Sequence, residues 1–222
     1  MTWKQFSRGF RFDPIIKGSP EALVVLLHDL GSGAARLNPL AARWAEAVPT
    51  TAFISLNGIE QLDPACHGST EPGMLDRAAR HLEQSIEQQL RDRGLDPSRL
   101  VIAGFGYGGT LALHMLLRRG WDCAGVLGFG AKVTRPLPRA LSVDAKVRLI
   151  ECVPDRHIGQ IRLRDSVALL IARGIDARGV LLVGSILSDE TIRHGGAYLV
   201  ELVGTAQRGN RLRLDRESRL AR

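Results

Sequence analysis

The densest chemistry in this 222-residue chain lies at Gly104-Phe-Gly-Tyr-Gly-Gly109. An apolar run, Arg99–Gly104, leads into it, and a helix-like stretch, Gly108–Arg119, follows. A strand that turns sharply into a helix, with glycine two residues before and two after the apex, is the pattern of a nucleophile elbow. Gly104 and Gly108 take the two flanking places. The apex, where a serine would stand, is Gly106.

Other side chains could supply nucleophilic chemistry: Ser32, Ser185, Tyr107 and Cys152, with His28, His67 or His157 as bases and Asp155 as an acid. A triad needs all three roles within mutual reach. Spacing alone does not bring these residues together. His114 falls on the helix after the elbow, where packing or a local hydrogen bond is expected, and His194 is expected at a helix surface. Cys66, Cys123 and Cys152 fit neither a zinc site nor a disulfide framework, so reduced thiols are expected. No metal site and no cofactor are predicted. Gly104, Gly106 and Gly109 also match G-x-G-x-x-G. That fingerprint wants an acidic residue about 20 positions later for a ribose. Here Ala131 and Lys132 stand there, and at least two strands precede the motif.

The elements that must position these residues alternate along the chain. Short apolar runs at 22–27, 51–56, 99–104, 124–130, 146–152 and 179–183 read as strands. Stretches with apolar residues at helical spacing separate them. Asn38-Pro39 reads as a cap and first helical residue. Leu75, Ala78, Ala79, Leu82, Ile86 and Leu90 form one stripe of a helix over about 73–93, stopped by Gly94. Later helices are expected around 159–173, with Leu163, Val167, Leu170 and Ile171 on the buried face, and over 188–203, burying Ile192, Gly196, Leu199 and Val203. Residues 57–72, rich in glycine, proline and polar side chains, read as a long functional loop. The alternation predicts an α/β domain, with a central, mostly parallel sheet, helices on both faces and no separate lid domain.

Composition sets the frame. A 45% hydrophobic content suits one globular domain, expected over residues 1–204. No apolar run is long enough to span a bilayer, and the first residues lack a signal-peptide core. A cytoplasmic location is therefore expected. The net charge is +7, and six arginines against Asp215 and Glu217 fall in residues 205–222. That segment reads as a basic, flexible tail, so the charge says little about the domain. Nucleic acid is not an expected partner.

Four segments, in chain order, resemble the phospholipase/carboxylesterase family of α/β hydrolases, the group that includes acyl-protein thioesterases. Leu26–Gly33 resembles its L-L-H-G-x-G-x-x oxyanion loop. Ala103–Gly109 resembles its G-F-S-Q-G-G elbow. Leu149–Ile158 resembles the H-G-x-x-D-x-x-V segment that brings the acid, and Val183–Leu187 the G-H-x-I segment that brings the histidine. The resemblance implies an α/β-hydrolase fold and ancestral hydrolysis of carboxylic esters or thioesters. It assigns Gly106 to the nucleophile position, Ser185 to the histidine position, Asp155 to the acid, and the backbone amides of Leu30 and Tyr107 to the oxyanion hole.

The family pattern is broken at Gly106, at Ser185, and at Asp29, which stands where the family has glycine. An acyl-enzyme route needs a nucleophile and an imidazole that takes its proton. The expected reading is a pseudoenzyme that keeps the fold and a pocket for a small acyl or ester ligand, walled in part by residues 57–72. An active hydrolase with a rebuilt site, or a scaffold or regulatory protein paired with a partner or another copy of itself, are the alternatives. Asp29 is expected to oppose an oxyanion unless it points to solvent.

Overall fold

The apolar runs at Ala22–Leu27 and Thr51–Leu56 have no polar face to offer water, so each must be covered on both sides. In the computed structural model they lie side by side within one eight-stranded sheet. The structure describes residues 4–6, 8–57, 72–135, 137, 145–153 and 156–220; at 72, 156–159 and 205–220 it describes the backbone alone. Cys66, His67 and Asp155, the side chain of His157, and all but the ends of the 57–72 loop therefore lie outside the described residues.

The strands are β1 (Lys4–Phe6), β2 (Gly9–Phe12), β3 (Ala22–Leu27), β4 (Thr51–Leu56), β5 (Leu100–Phe105), β6 (Gly125–Phe129), β7 (Lys146–Val153) and β8 (Asp176–Val183). Their order across the sheet is β1-β2-β4-β3-β5-β6-β7-β8. From β4 to β8 every pairing is parallel. The antiparallel pairings are β1 with β2 and β2 with β4. The hairpin of β1 and β2 has no counterpart in the sequence reading, because its short segments carry too few apolar residues to stand out.

Helices α1 (Asn38–Ala47), α2 (Pro72–Arg91), α3 (Tyr107–Arg119), α4 (Arg156–Ile171) and α5 (Asp189–Leu220) cover the two faces. Side chains alternate along each strand, so β3 feeds two cores. Leu23, Val25 and Leu27 pack with Leu75, Leu82, Ile86, Leu111 and Leu170 under α2, α3 and α4. Ala22, Val24 and Leu26 pack with Leu40, Trp44, Phe129, Leu199 and Val203 under α1 and α5.

Several expectations change in detail. Asn38 is the first residue of α1 rather than its cap; Leu37 precedes it, no side chain caps the helix, and Asn38 Oδ1 is buried without a hydrogen-bond partner among the described residues. Ile171 is 57% exposed, because α4 ends there and the chain turns away through Gly174, whose φ is +82°. Ile192, Gly196 and His194 are only half-buried, while Leu199 and Val203 are buried. Strand β8 begins at Asp176, three residues before the expected start. The backbone of α5 stays helical past Val203 to Leu220, since its arginines, leucines and glutamate favour helix even where the apolar stripe ends.

Arg148 is a feature the sequence reading passed over. It points from β7 into the interior and is 0% exposed. Its guanidinium donates to the Asp176 carboxylate on β8 (3.1 and 3.2 Å) and to Glu201 on α5 (3.0 and 2.6 Å). A buried guanidinium needs such a fork of acceptors, and this one ties α5 to the edge strand β8.

Candidate functional site

Ligands of parallel sheets gather at the carboxyl ends of the strands. The elbow and most of the candidate residues described fall there, whereas His114 on α3, His194 on α5 and Cys123 ahead of β6 do not. His28 and Asp29 follow β3, Gly106 follows β5, Lys132 lies just beyond β6, Cys152 is near the end of β7, and Ser185 follows β8.

The elbow is built by close backbone packing. Gly106 has φ +51° and ψ −113°, outside the regions that residues with a Cβ adopt freely. Its amide donates to the Phe129 carbonyl (2.8 Å), which ties the turn to the end of β6. Phe105, the residue before, stacks on Phe129 with ring centroids 4.4 Å apart, and Phe129 stacks on Trp44 at 5.8 Å. An aromatic floor thus backs the turn. The other glycines have steric reasons as well. A Cβ at Gly104 would run into the backbone of Gly109, one at Gly108 into the carbonyls of Leu27 and His28, and one at Gly109 into the carbonyl of Gly104. Strand-to-helix packing accounts for Gly104 and Gly109, and the positive φ for Gly106, the three glycines that also matched a dinucleotide fingerprint.

Asp29 is the unexpected part. Its backbone and side chain are both held. The Asp29 carbonyl accepts hydrogen bonds from His28 Nδ1 (2.7 Å), Ser32 Oγ (2.9 Å) and the Ser32 amide (3.1 Å). Its Oδ1 accepts from the amides of Leu30 (2.9 Å) and Tyr107 (2.8 Å), the two groups expected to serve as oxyanion donors. The carboxylate therefore turns inward to the elbow, although the residue as a whole is exposed. A Cβ on Gly106 would lie under 3.0 Å from all three atoms of that carboxylate group, a separation real Cβ atoms do not show. Of the two directions expected for Asp29, toward the elbow or toward solvent, the carboxylate takes the first. Its geometry is closer than opposition at a distance, since it occupies both donors.

The remaining candidates have local roles. Ser185 is exposed; its Oγ accepts from the Leu187 amide (3.3 Å), and its carbonyl accepts from the Ser188 amide and from Thr191 Oγ1 (3.1 Å). It belongs to the turn that opens α5, and among the described residues no hydrogen bond joins it to Gly106 or Asp29. Ser32 Oγ is spent on the Asp29 carbonyl. Cys152 Sγ contacts Thr191 Oγ1 (3.4 Å), and burial pushes its thiol pKa up, away from the reactive thiolate. His28 is 4% exposed. Its Nδ1 carries the proton donated to Asp29, and its buried Nε2 has no partner among the described residues. His114 packs in the core, as expected, and its Nε2 lies 2.8 Å from Asp76 Oδ1 on α2, a contact between helices 38 positions apart rather than a local one.

Beside the elbow, a cleft of about 300 Å³ opens between the ends of β6 and β7 and helix α4. Ala131, Leu149 and Leu163 give it apolar walls, and Lys132, Glu151 and Arg162 give it charge. Glu151 and Arg162 pair at 3.4 Å. Burial raises the Glu151 carboxyl above the usual carboxylate range, against the pull of Arg162 and Lys132.

A doubly covered parallel sheet, an elbow at the end of its fifth strand and a loop crossing to it from the third define an α/β hydrolase fold. The chain belongs to the phospholipase/carboxylesterase family, whose model matches residues 16–146, more than half of it. Among solved structures it is similar to esterase PE8, with 23% identity over 88% of this chain and 98% of that one and a TM-score of 0.74. It is also similar to a carboxylesterase from Mesorhizobium loti (19%, 81% and 88%, TM-score 0.65) and to a phospholipase/carboxylesterase from Dyadobacter fermentans (18%, 86% and 95%, TM-score 0.64). At these identities the structural likeness speaks to fold.

Proposed function

We propose that this member of the family does not cleave esters or thioesters by the serine route, and acts as a pseudoenzyme that keeps the scaffold and a ligand cleft. The observation that carries this reading is the elbow itself. Gly106 sits at the apex in a conformation suited to glycine, with no side chain to attack a carbonyl and with the Asp29 carboxylate standing where one would go. The histidine position supports it. Ser185 is exposed and engaged in its own turn, so no imidazole there can take a proton. In this reading Gly106, Ser185 and Asp155 hold the triad's places without its chemistry, and Leu30 and Tyr107 keep the oxyanion amides.

The cleft beside the elbow, with apolar walls and a charged rim, suits a small acyl ligand bearing a polar head. Binding of such a ligand raises the melting temperature.

The test is p-nitrophenyl butyrate hydrolysis by the purified wild type, together with labelling by a fluorophosphonate that reports activated serines. No turnover above the buffer rate and no label are expected. Turnover by the wild type, proportional to enzyme and surviving repurification, would overturn the proposal and move the search to Ser32, Ser185 and Cys152.

A further inference from the structure

We infer that Asp29 is a built-in plug: the chain supplies its own carboxylate to the two amides that would otherwise receive a substrate oxyanion. The inference rests on the family placement of the Leu30 and Tyr107 amides. It concerns what fills that position, not whether the protein turns over esters.

Three independent constraints hold the plug. The first is the pair of amides. They come from different elements, the loop after β3 and the first residue of α3, and converge on one oxygen, Oδ1. An N-terminal helix amide favours an anion, and a second amide aimed at the same atom makes a receptor for a single negatively charged oxygen. The second is the clamp on the Asp29 carbonyl by His28 and Ser32, which fixes the backbone from which the carboxylate projects. His28 is thereby a positioning residue for the plug. The third is space. The room taken by the carboxylate is the room that a Cβ at Gly106 would need. Relative to the family pattern, a side chain has left one wall of the site, at 106, and another has entered from the facing wall, at 29. Each change makes the other tolerable.

The consequence is specific. The wild-type site is already satisfied, so small carboxylates do not enter it. Truncating Asp29 empties a receptor of matching chemistry. Asp29 does not adopt a positive φ, so alanine fits its backbone. The experiment follows the Leu30 and Tyr107 amides of the full chain by nitrogen-resolved NMR during titration with sodium acetate, with sodium chloride as the ionic-strength control. In the wild type both resonances should stay fixed. In Asp29→Ala both amide protons should move upfield, as an anionic acceptor is lost, and return together, saturably, as acetate is added. In Asp29→Asn, which keeps a neutral Oδ1, both should move part of the way without responding to acetate.

The inference is overturned if acetate shifts the wild-type pair as it shifts the alanine variant. It is equally overturned if neither substitution moves the two amides. Should Asp29→Ala fail to fold, the Asp29→Asn shift decides alone. Wild-type ester hydrolysis would sink the proposed function and leave this readout unchanged, so the two fail separately.

Discussion

The amide of Tyr107, the first residue after the elbow apex, lies 2.8 Å from Oδ1 of Asp29, 78 positions earlier in the chain. That single bond couples the loop after β3 to the start of α3. With the Leu30 amide on the same oxygen, it leaves both amides already paired. On the proposed reading, restoring a serine and a histidine at 106 and 185 should not by itself give ester hydrolysis.

The variant Gly106→Ser/Ser185→His should hydrolyse p-nitrophenyl butyrate no faster than the wild type. Removing one oxyanion donor costs roughly a hundred- to a thousand-fold in rate, and here both are occupied. Adding Asp29→Gly should raise the rate of the double variant by at least about a hundred-fold. Steady-state kinetics on the three proteins check this, and equal rates with and without Asp29 would count against it.

Gly106→Ala should destabilise the fold by about 1–3 kcal/mol from backbone strain at φ +51°, with a further cost from displacing the carboxylate. In Asp29→Ala/Gly106→Ala the second cost disappears. The two substitutions should therefore be non-additive by more than about 0.5 kcal/mol, the scatter seen for independent sites. Urea unfolding of the four proteins closes the cycle.

Arg148→Met should cost about 3 kcal/mol, the lower end for breaking a buried ion pair, because the stranded carboxylates of Asp176 and Glu201 can turn toward water. The hydrogen bond from Arg148 holds the Glu201 carboxyl below its usual 4.5, with burial opposing. A depressed acid contributes stability that is fully present above 4.5 and lost as the pH falls through the lowered value. Unfolding curves between neutral pH and pH 3 should show the wild type losing more stability than Arg148→Met over that range.

His114 should add a second pH limb. Burial lowers its imidazole below the ordinary 6.5, outweighing the hydrogen bond and charge of Asp76. A charged ring would also carry a proton on buried Nδ1, which has no acceptor among the described residues. The unfolded chain then binds the proton more readily than the native one. Stability is complete above 6.5 and falls as the pH drops toward the lowered value. His114→Gln should flatten this part of the profile, as measured by denaturant unfolding from pH 8 to pH 5.

Cys123 and Cys152 should be slow to react in the native protein. Burial pushes Cys123 up to about 12 and raises Cys152 as well, so neither offers much thiolate at neutral pH. Peptide-resolved iodoacetamide labelling should find Cys123 unmodified in the native protein and modified after unfolding. Rapid native labelling of Cys123 would contradict its burial.

The parallel sheet, the helix faces and the elbow were legible in the sequence, and for one reason. Apolar runs such as Leu23–Leu27 and stripes such as Leu75–Leu82–Ile86 are local patterns whose period sets the element that can bury them. The family resemblance was legible too, because glycines 104, 108 and 109 are dictated by backbone contacts that any chain making this turn must satisfy. That glycine stands at the apex, position 106, could likewise be read letter by letter.

What the sequence left open were relations between distant residues. Arg148 looked like one basic residue in an apolar strand until Asp176 and Glu201, 28 and 53 positions away, were brought around it. The antiparallel β1–β2 hairpin is likewise held by pairing with β4, more than its own short segments reveal. Asp29 could be seen as a departure from the family, and its pairing with a side chain missing at 106 was a signal available in the sequence. Whether it faced water or the elbow was a matter of side-chain direction. That direction is set by amides and carbonyls that meet only after β3 and β5 have paired and α3 has begun. The sequence determined which residues stand at the ends of β3 and β5; the tertiary structure decided that the Asp29 carboxylate turns to the amides of Leu30 and Tyr107.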